Sequence, residues 1–254
     1  MRPASWLSFL RTHAGLSAVF AVVFLTASIT RLPAALVLPY AAQAGVDIKG
    51  ASGSLWNGRF STIQFRDMRF ESGAYRFTPS GLMSGASVGQ FTLSGGIAQI
   101  DGRLNRLGNG RIELADFSAE VDYPLRLRQV DFNPRIKLTT DSMSLTYDGQ
   151  CVSGDIAVTM RVNAAALAMI LPRGAQWNGS ANCENGRVAF LLNPNDSGLV
   201  AVIRGEINGL SYNAEIDLAL DDRLTQSREV RVALRQAGFK KQNGQWRAQI
   251  RGIL

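Results

Sequence analysis

The chain has 254 residues, 46% of them hydrophobic and 19% charged, enough apolar material for one sizeable core or two small ones. Its net charge of +7 is unevenly spread: residues 1–44 carry three arginines and no acid, leaving 24 basic residues against 20 acidic ones beyond them. That mild balance, with no run of Lys and Arg interleaved with aromatics, argues against a nucleic-acid partner.

Arg2 and Arg11 precede an uncharged apolar run, Ala14 to Thr30, of about 17 residues, at the short end of what crosses a bilayer core. Basic residues before the run place the N-terminus in the cytoplasm and export the chain beyond Arg31. A cleaved leader is the competing reading, since Ala42-Gln43-Ala44 has the composition of a peptidase site. That triplet lies far behind the apolar run, and an uncleaved anchor is expected. The resulting organisation is a cytoplasmic segment over 1–13, an anchor over 14–31, a linker over 32–52 that leads into the domain, and a β-rich exported domain over 53–254. Two lobes meeting near residue 150 are compatible with that layout.

Beyond the linker the apolar period is two, with turn signals every 8 to 12 residues, the pattern of many short antiparallel strands. Thr62 to Phe70 alternates until its register shifts around Asp67, which reads as a bulge. Similar runs are Tyr75–Thr78, Gln90–Ser94, Ile97–Leu104, Gly110–Leu114, Ser118–Tyr123, Arg135–Tyr147, Asp155–Val162 and Arg187–Leu192. Leu199–Ile207, Ser211–Leu220, Glu229–Leu234 and Gln245–Ile250 complete the set. Asn57-Gly58, Asp101-Gly102, Asn109-Gly110, Asp148-Gly149, Asn185-Gly186, Asn208-Gly209 and Asn243-Gly244 accept positive φ and read as hairpin turns. One short helix is predicted, capped by Asn163, running from Ala164 to Leu171 and ended by Pro172 and Gly174. The fold class is therefore mainly β: an N-terminal transmembrane helix, then an antiparallel curved sheet or sandwich with one short helix. Gly53-Ser54-Leu55-Trp56-Asn57-Gly58 is echoed by Gly174-Ala175-Gln176-Trp177-Asn178-Gly179, without flanking similarity that would make a duplication.

Cys151 and Cys183 both fall in the exported part, where an even cysteine count most simply means a disulfide. Cys183 lies between Asn182 and Glu184 in a stretch that reads as polar and turn-like, a poor place for a buried thiol. The inventory of reactive groups is restrictive. His13, beside the anchor, is the sole histidine, so no histidine-based triad or imidazole zinc site can form in the exported domain. Asp221-Asp222 is the only adjacent acidic pair and has the setting of an exposed loop, unlike two carboxylates placed across a cleft. No calcium-loop spacing occurs, Gly108-x-Gly110 is too short for a nucleotide motif, and Asn178-Gly179-Ser180 reads as a turn. No catalytic residue, cofactor site or metal site is assigned, and the chain is not expected to be an enzyme.

The order of short anchor, Leu32-Pro33-Ala34-Ala35-Leu36-Val37-Leu38, Gly45-Val46, Gly53-Ser54-Leu55-Trp56-Asn57-Gly58-Arg59 and a β-rich body ends in Asn243-Gly244-Gln245-Trp246-Arg247-Ala248-Gln249-Ile250-Arg251-Gly252-Ile253-Leu254. That layout resembles the type II secretion system protein N family. The cysteine pair is a departure from what is expected of many members. The resemblance implies an accessory inner-membrane component of the secretion apparatus, single-pass, facing the periplasm and without catalysis. It would tether its domain beside partners such as the secretin or the inner-membrane platform. Trp56, Arg59 and Trp246 are the candidate contacts, Trp and Arg being enriched at binding hot spots. Trp56 beside Asn57-Gly58 equally suits a hairpin pinned to the core. The second function class is an AsmA-like β-groove handling lipid or lipopolysaccharide. What discriminates the two is the face taken by Arg66, Arg103, Arg126, Arg161 and Arg204, which periodicity leaves open.

Overall fold

In the computed structural model, residues 20, 21, 24, 28, 31–43, 45–65, 68–84, 88–108, 110–122, 125–127, 130–147, 149–163, 175–184, 186–195, 200–208, 211–220, 224 and 226–253 are described. Most of the expected anchor, the helix expected after Asn163 and the Asp221-Asp222 pair lie outside them. No helix among the described residues is long and apolar enough to cross a membrane. Residues 20, 21, 24 and 28 are helical, and Phe20 and Phe24, one turn apart, are exposed.

The protein is mainly β. A 3-10 turn, Ala34–Val37, and helix α1, Leu38–Gln43, lead into β1, Val46–Lys49. Strand β1 pairs with β4, Thr62–Phe65, which pairs with β5, Met68–Phe70, in a small separate sheet. Phe65 faces Met68 in register, so the run expected as one bulged strand is two paired antiparallel strands, with Asp67 itself outside the described residues.

All other strands form one large antiparallel sheet. In chain order these are β2 (Ser52–Gly53), β3 (Asn57–Phe60), β6 (Ser72–Phe77), β7 (Gly89–Gly95), β8 (Ala98–Gly108) and β9 (Arg111–Asp122). Next come β10 (Leu125–Leu127), β11 (Val130–Thr146), β12 (Cys151–Asn163), β13 (Ala175–Glu184) and β14 (Arg187–Pro194). The last are β15 (Val200–Asn208), β16 (Ser211–Ala219), β17 (Lys240–Gln242) and β18 (Gln245–Ile253). Nearly every strand pairs with its sequence neighbours, from edge strand β2 to edge strand β17, with short β10 branching from β11. The sheet is open, not a sandwich, and its hydrogen bonding runs without a break past residue 150.

Alternation gives this sheet two chemically distinct faces. Residues opposite one another in register share a face, and one such row crosses twelve strands without a polar side chain. It runs Phe60, Gly73, Leu93, Ile100, Ala119 and Leu138. It continues through Val158, Gly179, Leu192, Ile203, Ile216 and Ala248. The neighbouring row on the other face includes Arg59, Thr92, Asp101, Ser118, Arg204, Glu215 and Gln249. Arg103, Arg161 and Arg204 are all exposed and are absent from the apolar clusters; the side chains of Arg66 and Arg126 are not among those described.

Long strands keep this phase through bulges. Gly102 of β8 pairs with Phe91 of β7 but is passed over on its β9 side, where the register shifts. Asp116 of β9 and Asp141 of β11 are passed over between those two strands, and Asp116 takes a φ of 43°. Leu104, Leu114, Met143 and Leu145 thereby join one apolar cluster beyond the bulges. Asp101-Gly102, expected as a hairpin turn, thus lies inside a strand, as does Asn57-Gly58. Asn208 pairs with Ser211 and so belongs to the strand ladder, with Gly209 outside the described residues. The Asn243-Gly244 turn is as expected, with φ values of 49° and 84°.

Two further expectations are corrected. Glu229–Leu234 is not a strand but part of helix α3, Arg228–Gln236. The Ser227 hydroxyl caps it by accepting from the Val230 N–H, and Val230 and Leu234, one turn apart, are buried whereas Val232 is exposed. With α1 and α2 (Pro79–Ser84) the fold has more than one short helix. The stretch around Cys183 is not a turn: it is β13, whose Ala175, Trp177, Ala181 and Cys183 are all buried. Cys151 and Cys183 form a disulfide, with Cα atoms 5.8 Å apart, across β12 and β13. The largest apolar cluster spans β12 to β18 and is overlaid by Val230 and Leu234 of α3, with Ala237 and Phe239 just after it.

Candidate functional site

The segment Gly53 to Gly58 forms the tight link between β2 and β3. Ser54 organises it: its hydroxyl accepts from the N–H groups of Trp56 (3.3 Å) and Asn57 (3.2 Å), and its own N–H donates to the Asn57 carbonyl at 2.9 Å. Gly53 sits at φ 92°, in the region that disfavours a side chain, and a Cβ there would collide with the Asn57 carbonyl oxygen. A Cβ on Gly58 would meet the Tyr75 ring at 2.6 to 2.7 Å. Tyr75 packs against Phe60 and Phe77, and its hydroxyl donates to the Ser54 carbonyl at 2.8 Å. Burial raises the Tyr75 pKa above the ordinary tyrosine value, which keeps that donor protonated.

This link is where the chain leaving residue 31 joins the sheet. The Leu55 N–H donates to the Leu32 carbonyl at 2.7 Å, and Pro33 forms a bridge with Ser54. Trp56 is half-buried within the link, its carbonyl accepting from the Phe77 N–H at 2.6 Å. Arg59 is exposed on the polar face of β3. Trp246 lies elsewhere, on β18 with 2% exposure. Eleven strand spacings separate β3 from β18, roughly 50 Å along the sheet at about 4.8 Å each. Trp56 and Arg59 share an edge; Trp246 belongs to the opposite one.

The far end of the sheet also carries an ion-pair network that the sequence did not single out. On its polar face Asp217 of β16 lies between Arg204 of β15 and Arg247 of β18, hydrogen-bonded to both. Glu215 completes the cluster, 3.5 Å from Arg204 and 2.8 Å from Arg247. The Asp217 side chain is only 12% exposed. Its partial burial pushes the carboxyl pKa upward, but the hydrogen bonds and charges of Arg247 and Arg204 outweigh that and hold it below the usual carboxylate value. A bidentate pair, Arg135 with Asp122 at 2.7 and 3.0 Å, spans β11 and β9, and its hydrogen bonding lowers the Asp122 pKa. Alternating sequence signs mark such residues as exposed; only strand register shows which of them meet.

β18 is covered on its outer side by β17 over just three pairs, Gln245 to Arg247. From Ala248 onward its outer edge has no strand partner among the described residues. The arrangement comprises an edge attached to the preceding chain, an apolar face, a polar face and, past Arg247, an outer edge without a strand partner among the described residues.

No curated protein and no solved structure matches this chain. A family model described as type II secretion system (T2SS), protein N, matches residues 44–249, from just before β1 into β18. A disulfide in a component of that system indicates a domain outside the cytoplasm. By that match the chain belongs to the type II secretion system protein N family, a component of the secretion machinery and not a known enzyme family.

Proposed function

We propose that the protein is an inner-membrane tether: residues 14–31 anchor it, and its β-domain, held in the periplasm, binds other secretion components without catalysis. The observation that carries this reading is the attachment of Leu32 and Pro33 to Ser54 and Leu55, which fastens the chain just beyond the expected anchor to the first edge of the sheet. With that edge fixed near the membrane, the partly open edge of β18 stands tens of ångströms along the sheet from it, roughly 50 Å by strand count. An open antiparallel edge accepts a partner strand by main-chain hydrogen bonding. Confinement to the membrane plane raises the effective concentration of that edge for partners there, of which the secretin and the inner-membrane platform are the expected ones.

The twelve-strand apolar row favours a second reading, an AsmA-like surface that seats lipid or lipopolysaccharide acyl chains. Arg103, Arg161 and Arg204 leave that face unbroken.

In-cell photocrosslinking from Trp56, Arg59, Gln249 and Arg251, with mass spectrometry of protein and lipid adducts, separates the two. Adducts from Gln249 and Arg251 to the secretin or platform proteins are expected for the tether, and secretion should fail when the domain is exported without its anchor. Lipid adducts alone, or full secretion by the unanchored domain, would sink the tether reading.

A further inference from the structure

At the far edge, a pocket of about 580 Å³ opens between α3 and the β17–β18 hairpin. Its lining combines four cations, Arg231, Arg235, Lys240 and Lys241, with the aromatic side chains Phe239 and Trp246. All four cationic residues are exposed, and no ion pair joins any of them to a carboxylate among the described residues. Single-purpose explanations exist for Lys240, Lys241 and Arg235, but not for Arg231. Lysines on an edge strand discourage unwanted strand pairing, and arginine in the last turn of a helix complements its dipole. Neither accounts for Trp246. Its side chain is 2% exposed, and its indole nitrogen is buried without any hydrogen-bond partner. An indole N–H can only donate, and leaving a buried donor unpaired is costly. Trp246 itself lines this pocket, and an acceptor that entered it would stand among positive charges.

We propose that this pocket binds a phosphate group, with the Trp246 N–H donating to one oxygen and the Arg231 and Arg235 guanidinium groups, with the lysine ammonium groups, neutralising the others. Guanidinium forks match phosphate geometry, and charge-assisted bonds of this kind are the strong ones. Phe239 and Trp246 also belong to the main apolar cluster, so cations and apolar surface meet here. That suits either free phosphate or an anionic phospholipid headgroup, and the inference stands independently of both functional readings above.

The test uses the full-length chain in an uncharged detergent, labelled with ¹⁵N at its four tryptophans. The indole resonance missing from Trp246→Phe identifies the reporter. It is titrated with inorganic phosphate against chloride at equal ionic strength, and with dihexanoyl phosphatidylglycerol against the corresponding phosphatidylcholine. A saturable shift of the Trp246 indole is expected, with affinity weakened roughly tenfold or more in Arg231→Ala/Arg235→Ala. Those two residues are exposed, so unchanged circular dichroism should accompany the loss. Response to phosphatidylglycerol alone assigns a lipid headgroup, and response to both anions assigns a general phosphate site. No saturable shift with either anion, or undiminished affinity in the double variant, overturns the proposal.

Discussion

At the scale of single residues, Asp217 is where charge and partial burial compete most directly. The carboxyl is held below its ordinary pKa by Arg247 and Arg204 against the opposing effect of burial. A carboxylate whose folded-state pKa is depressed contributes stability that is fully present above its unfolded value, about 3.9, and is lost as pH falls through the folded value. Asp217→Asn keeps the shape and removes the charge. The variant should therefore melt below the parent at pH 7, with the gap closing as the pH is brought from about 4 downward through the folded pKa. Thermal denaturation of both chains across that range reads this out directly. A gap that stayed constant with pH would mean that the ion pairs are not what Asp217 contributes.

At the scale of elements, the β12–β13 pair is clipped by its disulfide, whose cysteines are 32 positions apart. Loss of chain entropy in the unfolded state assigns such a crosslink about 3.7 kcal/mol of stabilisation, with measured values commonly 2–4. Both cysteines are buried, so Cys151→Ala/Cys183→Ala is the cleaner comparison, and equilibrium urea unfolding should show a loss of about that size. An unchanged urea midpoint would assign the hairpin's stability to its ladder alone. The cysteine pair was legible because compartment and parity sufficed, yet the strand that holds Cys183 was not. Its buried positions are mostly small, Ala175, Ala181 and Cys183, and small residues beside asparagines resemble a turn. Gly179 is small for a reason invisible in one dimension: a Cβ there would overlap the Leu191 carbonyl oxygen on β14. Helix α3 was misread for the converse reason. Val230, Val232 and Leu234 alternate as a strand would, and only the Ser227 cap and the burial of Val230 and Leu234 without Val232 distinguish a helix. The register shifts between β8 and β9 near Gly102 and Asp116, and between β11 and β12 near Asp141, lie close together on neighbouring strands, a relation that no local window contains. Of the candidate contacts, the sequence picked out Trp56 by its motif, but Tyr75 and the Asp217 network exist only once strands are paired.

At the scale of the whole molecule, the sheet is close to one-dimensional. Strands pair mainly with their chain neighbours, and the buried apolar residues fall into one large cluster toward the C-terminal half and two small ones toward the N-terminal half. In such arrays stability is approximately a sum over nearest-neighbour interfaces, so local opening free energies should track the local core and not a single global value. Amide hydrogen exchange of the full chain should therefore be slowest in β13 to β16, inside the largest cluster. It should be intermediate in β6 to β9, and fastest in the edge strands β2 and β17, which have three or fewer pairs each. Uniform protection from edge to edge would show that the sheet opens only as a unit and would remove the physical basis for a far edge that remodels on its own. The expected gradient has a consequence for binding. β17 covers β18 by three residue pairs alone, so releasing it costs little, and its departure would extend the open edge from Ala248 back to Gln245. A partner strand arriving there would replace a weak ladder with a longer one, and exchange at β18 should slow on complex formation while β2 stays unchanged.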